Sequence, residues 1–355
     1  SLDLIEALMR DEGLAGWDGF GVVVQAYQRR ATFVIDWLAA LARDTGRRMM
    51  VRLVKGAYWD GEIKRAQVMG LQSYPVFTRK VLTDISYQAC ARRLFANLDV
   101  FYPQFATHNA LTASLVREMA GEARKFELQR LHGMGEALHD SILKDGARSR
   151  IYAPVGGHRE LLPYLVRRLL ENGANSSFVN QLFDPDLSIE DVVADPVEEA
   201  RALDRLPNPM IPAPRDLFAG ERLSAKGFDL SEPEAAARFA TAAAPLAGAP
   251  LTARPTIGPT RGRAEEVRNP ADRREIVGRV VLAGPEDIET ACAAASAAQG
   301  AWGARPAAER GESLRRAAAA LEAQTDAFLH LAVREAGKTL PDAVAEVALP
   351  ATDAA

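Results

Sequence analysis

Two adjacent arginines, Arg167 and Arg168, are the residues of this sequence whose chemistry is easiest to state. Neighbouring guanidinium groups repel each other, so a fold that holds them together has a use for fixed positive charge. A planar carboxylate matches the geometry of such a pair. Tyr164 and Glu171 lie close by in the sequence. The pattern therefore predicts an anion site, with a small acid as the first candidate for a substrate.

The helix that carries this pair begins at His158, and a rotation of about 100° per residue sorts its side chains into two faces. One face is apolar, and the other collects Tyr164, Arg167, Arg168 and Glu171. Periodicity alone favours an ordinary polar face in contact with water. The functional interpretation requires this helix to lie across the mouth of a barrel, so that its polar face meets a pocket.

Polar side chains also stand at the ends of apolar runs. The segment VRLVKGAYW places Arg52 and Lys55 near the end of one run, with Gly56 directly after them. A charge inside an apolar strand is costly to bury, and barrel enzymes place their active sites at the carboxyl ends of strands. Arg52 is suited to an electron-rich ring, and Lys55 to a phosphate or, alternatively, a Schiff base. Comparable positions on other runs are held by Gln25, Thr107, His108 and Leu131.

The elements that position these residues alternate between strand and helix. Five apolar runs are separated by amphipathic segments. Two of the runs cover residues 21–27 and 126–134, and the other three end at Tyr58, Asn109 and Gly156. This alternation predicts a parallel α/β fold, and polar residues at the strand ends favour a (β/α)8 TIM-like barrel. Such a barrel has eight strands, so the barrel is expected to be incomplete, with its early strands upstream of Ser1.

The sequence changes character after the predicted barrel. We predict a partial barrel over residues 1–196, a proline- and alanine-rich linker region over 197–262, and a second, truncated α/β domain over 263–355. The second domain is predicted to contain a hairpin-like strand pair and a helix that begins near Pro285. A single longer helix is expected from Ala307 to Gly337.

Composition narrows the class of protein. The net charge is −4 and basic residues do not form tracts, so no nucleic-acid contact is expected. The two cysteines indicate neither a disulfide framework nor a metal site, which favours a reducing, cytoplasmic setting. No apolar run approaches the length of a membrane span.

Long blocks of the sequence resemble the proline dehydrogenase domain of the bifunctional proline utilisation flavoproteins. The blocks are VRLVKGAYWDGEIKRAQ, YPVFTRKVLTDISYQACA, YPQFATHNALT, FELQRLHGMGEALHD and IYAPVGGHRELLPYLVRRLLENGANSSFVNQLFD. The segment from RNPADRREIVGRV to EAGKTLPDAVAEV resembles the start of the second enzyme of that family, an NAD-dependent glutamate semialdehyde (pyrroline-5-carboxylate) dehydrogenase of the aldehyde dehydrogenase superfamily.

The resemblance implies a distorted barrel that holds FAD at the carboxyl ends of its strands, with the last helix over the flavin. Arg167 and Arg168 would bind the carboxylate of L-proline, and Arg52 would lie beside the flavin. The pocket around the substrate ring would be shaped by Tyr58, Leu131, Tyr152 and Tyr164. The residues that help to hold FAD would be Gln25, Lys55, Gly56, Thr107, His108 and Glu171.

The resemblance also implies partners and a location. Electrons would pass to a quinone, the protein would be a homo-oligomer in the cytoplasm, and peripheral association with the inner membrane is left open. An acidic residue and a lysine on the family's early strands would precede Ser1, so this chain alone is expected to bind FAD weakly. Two alternatives stay open: a Schiff-base aldolase-type barrel that uses Lys55, and an inactive fragment or interaction module.

Overall fold

The computed structural model describes residues 2–123, 125–172, 188, 193–218, 221–242, 251–258 and 260–353. Within these ranges it describes no side chains for residues 167–172, 241–242 and 348–353. The chain divides into two compact units. The first comprises Ser1–Ile63 and Pro75–Ile211, and the second Lys64–Tyr74 and Pro212–Ala355.

The first unit is built on a five-stranded sheet in which the strands follow the order of the sequence and every neighbouring pair is parallel. The strands are β1 (Gly21–Gln25), β2 (Met49–Val54), β3 (Phe101–Ala106), β4 (Glu127–Leu131) and β5 (Ser149–Tyr152). The predicted parallel α/β fold is therefore confirmed, with one strand in each of the five apolar runs. A closed ring of eight strands is not formed by the residues that the structure describes.

Helices connect these strands and account for the parallel order, because a parallel pair needs a crossover. The connecting helices are α2 (Ala31–Asp44), α3 (Trp59–Val68), α4 (Lys80–Phe95), α5 (Ala110–Ala120) and α6 (Glu136–Lys144). Helix α1 (Leu2–Arg10) precedes β1, and α7 (His158–Asn172) and α8 (Pro196–Arg201) follow β5. The boundaries follow local chemistry. The side chain of Asn109 accepts a hydrogen bond from the backbone of Thr112, and Gly121 ends α5 at a φ of 51°.

The sheet has two chemically different faces, because successive side chains of a strand point to opposite sides. The helix-covered face packs against α2, α4 and α5 and carries fully buried apolar residues. They include Met49, Val51, Leu53, Phe101, Phe105 and Leu128. The rings of Phe95, Phe105 and Phe126 contact one another at centroid separations of 5.0–6.0 Å. Each such side chain contributes about 1.5–3 kcal/mol through burial.

The opposite face, called the polar face below, carries charged and amide side chains. The register aligns Arg52 with Gln104 and Gln104 with Glu127. It also aligns Gln129 with Arg150 on the next pair of strands. Residues of like character therefore lie side by side across four strands, and the polar face is the surface on which the predicted site residues of β2 and β5 stand.

The second unit contains a three-stranded sheet in the order β6 (Leu251–Ala253), β8 (Ile276–Val281) and β7 (Ala264–Arg268). The antiparallel pair β7–β8 confirms the predicted hairpin. Its helices are α9 (Pro233–Ala242), α10 (Pro285–Gly303), α11 (Ala307–Ala323), α12 (Thr325–Ala336) and α13 (Leu340–Asp353). In the described ranges of either unit, no helix has the length and apolar character needed to cross a bilayer.

The prediction of one long helix from Ala307 to Gly337 is wrong, because this segment forms two helices, α11 and α12. The break lies at Gln324, whose ψ of 18° departs from helical geometry. The hydroxyl of Thr325 donates to the carbonyl of Glu322 at 2.7 Å and covers part of the broken backbone ladder. The break lets α12 bury Leu329 against Phe239 and Ala343.

Candidate active site

Arg52 is the charged side chain around which the predicted site of the first unit is arranged. Its guanidinium carbon lies 5.0 Å from the centroid of the Tyr152 ring, which is the geometry of a cation–π contact. The Nε atom is buried and has no hydrogen-bond partner among the described residues. Burial lowers the pKa of Arg52 from its ordinary value, and nearby tyrosines oppose that effect. The result is a fixed cation on the polar face with unused hydrogen-bonding capacity.

Helix α7 presents its polar side to the protein at Tyr164. The hydroxyl oxygen of this tyrosine is buried, and Tyr164 lies close enough to Arg52 to raise its pKa against the larger effect of burial. The apolar side of α7 is about half exposed at Leu162 and Leu165. An ordinary solvated helix would have the reverse arrangement, with its polar side in water. The orientation at Tyr164 thus agrees with the functional interpretation of this helix.

The side chains of Arg167, Arg168 and Glu171 lie outside the described residues, although the backbone of α7 extends through all of them. Their roles as a carboxylate clamp and a cofactor contact therefore stay predictions. Tyr58, another predicted pocket residue, is 70% exposed and has a φ of 68°, which is uncommon for a residue with a side chain.

The loop after β2 is held in place by residues of β1 and of the segment that follows it. Gln25 accepts a hydrogen bond from the backbone of Ala57 at 3.1 Å, and the hydroxyl of Tyr27 donates to the carbonyl of the same residue at 2.7 Å. Gly56 has a φ of 146°, and a side chain there would lie about 2.5 Å from the Tyr27 ring. Glycine is therefore required, because the Tyr27 ring packs directly against the backbone at this position.

Lys55 belongs to a cluster of three charged side chains. Its ammonium group forms an ion pair with Asp84 on α4, and Lys80 pairs with the second oxygen of the same carboxylate at 2.9 Å. Burial lowers the pKa of Lys55, and the attraction of Asp84 opposes this shift. The three charges line a cavity of about 110 Å³ together with residues of α4, α5 and α8.

His108 and Leu131 join the ends of β3 and β4. The backbone N–H of Leu131 donates to Nε2 of His108 at 3.0 Å, so this nitrogen is an unprotonated acceptor. Thr107 is 7% exposed, and its hydroxyl accepts a hydrogen bond from the backbone of Asn109 at 3.1 Å. Three predicted site residues are therefore brought together at one pair of strand ends.

His139 on α6 supports this arrangement and was not expected from the sequence. Its Nε2 donates to the carbonyl of Thr107 at 3.1 Å, so Nδ1 accepts from the hydroxyl of Ser149 at 2.7 Å. The ring is 1% exposed, and burial lowers its pKa. His139 thus connects the end of β3 with the start of β5. A single histidine in an amphipathic helix gives no signal of such a role.

A second group that sequence reasoning missed is centred on Glu127. Its carboxylate is 4% exposed and accepts hydrogen bonds from Arg150, Gln104 and Gln129. Burial alone would raise the pKa of Glu127, but the bonds from Arg150 and the two amides outweigh it and hold the pKa below its ordinary value. The available signal was a charged residue within the first two positions of two apolar runs, Glu127 in FEL and Arg150 in RIY.

The described residues fit a bound flavin at two points. Arg52 offers a buried Nε without a partner, and Tyr152 and Tyr164 provide aromatic walls near the cation. An electron-rich ring with acceptor atoms is the kind of group that these features suit. The fit concerns the first unit alone.

Comparison with known proteins agrees with this geometry. Residues 1–181 match the family model for proline dehydrogenase, and residues 258–353 match that for the aldehyde dehydrogenase family. The bifunctional protein PutA of Escherichia coli K12 is 47% identical over 98% of this chain and 28% of its own length. PutA of Rhizobium meliloti is 47% identical over 98% of this chain and 29% of its own length.

A crystal structure of a bifunctional proline utilization A (PutA) protein superimposes with a TM-score of 0.82 at 45% identity. The superposition covers 99% of this chain and 33% of the chain in the crystal structure. The chain thus spans about 28% of the length of its E. coli relative and carries sequence of two enzyme families. By its match over residues 1–181, the chain belongs to the proline dehydrogenase family.

Proposed function

We propose that this chain forms part of an FAD-dependent proline dehydrogenase, which oxidises L-proline to 1-pyrroline-5-carboxylate and passes the electrons to a quinone. We propose further that the whole protein is bifunctional. Its second activity, NAD-dependent oxidation of glutamate semialdehyde to glutamate, would belong to the domain that begins in residues 263–355. Residues 1–196 would supply the proline dehydrogenase part and residues 197–262 the linker region.

The observation that carries this proposal is the state of Arg52. A half-buried guanidinium whose buried Nε has no partner is costly, because removing a cation from water without compensation disfavours its charged form. The flanking tyrosine rings offset only part of that cost. A negatively polarised ring that binds beside Arg52 would supply the missing partner, and the resemblance supports a flavin as that ring.

When bound, FAD supplies the acceptor for a hydride from C5 of proline. Arg52 contributes a fixed positive charge, which stabilises negative charge on an adjacent ring and acts more strongly where water is excluded. Gln25 holds the loop that contains Gly56, and both residues would contact the cofactor. Thr107 and His108 would contact it from the end of β3, and Lys55 and Glu171 would be further contacts.

On the substrate side, Arg167 and Arg168 are proposed to bind the carboxylate of proline as a planar, charge-assisted pair. Tyr152 and Tyr164 stand near Arg52, so the substrate ring would lie between the cation and α7. Leu131 and Tyr58 would close the pocket. This arrangement leaves the acid of the substrate neutralised and its carbon skeleton against apolar and aromatic surfaces.

The aldolase alternative needs Lys55 as a nucleophilic amine. Its lowered pKa is in the direction that such chemistry requires, but the ammonium is engaged by Asp84. Borohydride trapping of a carbonyl substrate on Lys55 would support this alternative.

The location proposed for the whole protein is the cytoplasm, where it would form a homo-oligomer and meet its quinone at the inner membrane.

The proposal is tested by substituting Arg168→Met in the natural full-length protein that contains this chain. Loss of one charge-assisted pair is worth about 1.5–3 kcal/mol, so we expect the KM for proline to rise by about 10- to 100-fold while FAD stays bound. Arg159→Met is the matched control, since Arg159 is an exposed arginine of the same helix. An unchanged KM in Arg168→Met would remove Arg168 from the substrate site.

A further inference from the structure

Glu127 has more hydrogen-bond donors around it than a buried carboxylate needs for burial alone. Arg150 donates from Nε at 2.6 Å and from Nη2 at 2.9 Å. Gln104 and Gln129 each donate from their amides at 2.8 Å, and the Tyr102 hydroxyl donates at 3.3 Å. The five donors come from β3, β4 and β5, so one carboxylate ties three strands together on the polar face.

The position of Glu127 relates this group to Arg52. The two residues lie in one register row, separated by Gln104 on the strand between them. At about 4.8 Å per strand, their backbones are about 10 Å apart. Arg150 lies two residues before Tyr152 on β5, so both side chains point to the same side of the sheet, and Tyr152 contacts Arg52.

Stability alone does not account well for this group. A carboxylate that is 4% exposed bears a desolvation cost that its attraction to a more exposed arginine offsets only with good geometry. Apolar residues of similar volume would fill the same space without that cost. What apolar residues would not do is fix the guanidinium of Arg150 in one place and cancel its charge.

We propose that Glu127 is a positioning residue of the flavin site: it anchors β5, which carries Tyr152, and neutralises Arg150 so that the positive charge at the flavin is set by Arg52. The charge-balancing part rests on the proposed binding of FAD, and the anchoring part does not. Glu127 needs no contact with substrate or cofactor for either effect.

The substitution Glu127→Gln separates charge from shape. Glutamine keeps the volume but offers one acceptor oxygen, and its NH₂ group faces donors that previously met an oxygen. The charge of Arg150 is then uncompensated, and an added positive charge favours a reduced, anionic ring. We expect the flavin midpoint potential to shift to a more positive value.

The same substitution should loosen the end of β5. The backbone of His132 donates to the carbonyl of Tyr152 at 2.9 Å, and this bond reports on the alignment of β4 with β5. We expect faster hydrogen exchange in the peptides that contain these residues, both with and without flavin. The variant Glu127→Asp keeps the charge and should retain the wild-type potential.

The decisive set comprises wild type, Glu127→Gln, Glu127→Asp and the double variant Glu127→Gln/Arg150→Gln, each in the full-length protein. In the double variant the potential should return towards that of wild type, because the net charge is restored, while exchange stays fast. An unchanged potential in Glu127→Gln, an equal shift in Glu127→Asp, or unchanged exchange would overturn the proposal.

Two further outcomes are also informative. If Glu127→Gln does not fold, Glu127→Asp carries the test, since a shifted potential in a variant that keeps the charge contradicts charge balancing. If wild type binds no flavin, the proposed function fails. The exchange comparison on the same proteins then decides the anchoring role by itself, with unchanged protection as the contradicting result.

Discussion

The two faces of the five-stranded sheet follow different rules, although the same strands form both. On the helix-covered face, Leu53 and Phe105 are fully buried and pack within the apolar core. On the polar face, their sequence neighbours have polar surroundings: Gln104 donates to Glu127, and Arg52 lies over the Tyr152 ring with an unpartnered Nε. One face is optimised for close packing, and the other retains polar groups whose partners are incomplete among the described residues.

This difference separates the side chains that stabilise the first unit from those that are proposed to function in it. Apolar packing determines the alignment of strands and helices, since it is the larger energetic contribution. The polar face then receives a rigid support on which charges can be placed at fixed positions. Substitutions on the two faces should therefore affect different measurements.

The largest effect is expected for Phe105→Ala on the helix-covered face. The Phe105 ring lies 5.0 Å from that of Phe95 and 6.0 Å from that of Phe126, and its removal leaves a cavity among aromatic rings. We expect a loss of about 3–5 kcal/mol in the free energy of unfolding. Denaturant-dependent hydrogen exchange of peptides from β2 and β3 measures this loss in the first unit alone.

Gln104→Ala is the matched control, because Gln104 precedes Phe105 on the same strand and points to the other face. It removes one donor to Glu127 and should cost only about 1 kcal/mol. Equal destabilisation by the two substitutions would contradict the division of roles between the faces.

A smaller effect is expected for His139→Gln, which tests the support beneath the polar strand ends. Glutamine can replace part of the hydrogen bonding to Thr107 and Ser149, so the cost at neutral pH should be about 1 kcal/mol. The pH dependence is more specific. Since the pKa of His139 is lowered in the folded state, the unfolded state binds the proton more readily, and wild type loses stability as the pH falls below about 6.5.

The difference in unfolding free energy between wild type and His139→Gln should therefore become smaller at pH 5 than at pH 7.5. Groups common to both proteins cancel in this difference. A difference that stays constant or grows on acidification would show that burial does not disfavour the charged ring.

The sequence allowed much of the fold to be predicted, for identifiable reasons. Apolar runs such as MMVRLV, bounded by amphipathic helices, gave each strand of the parallel sheet within a few residues. The helix break at Gln324 was not predicted, because no proline or glycine marks it in the sequence. It depends instead on the tertiary packing of Leu329. Strand β6 was not predicted, because its three residues are too few to show the alternation of a strand.

Candidate site residues could be recognised where a polar residue interrupts an apolar run, as Arg52 does. It was less predictable where function depends on which partner a side chain meets. The cofactor contact of Lys55 stays a prediction, and its ion pair with Asp84 near the start of α4 could not be predicted from the sequence. Glu127 and His139 were missed because their significance depends on contacts between segments that are distant in the sequence.

The central claim is that the cation on the polar face promotes transfer of electrons from proline to a flavin. The most direct test adds L-proline without oxygen to the full-length, flavin-loaded wild type and to Arg52→Met, with Arg43→Met as a control for an exposed arginine on α2. We predict rapid bleaching of the flavin absorption in wild type and in the control, and bleaching about 100-fold slower in Arg52→Met. Bleaching of Arg52→Met at the wild-type rate, or a wild type whose flavin does not respond to proline, would contradict the account.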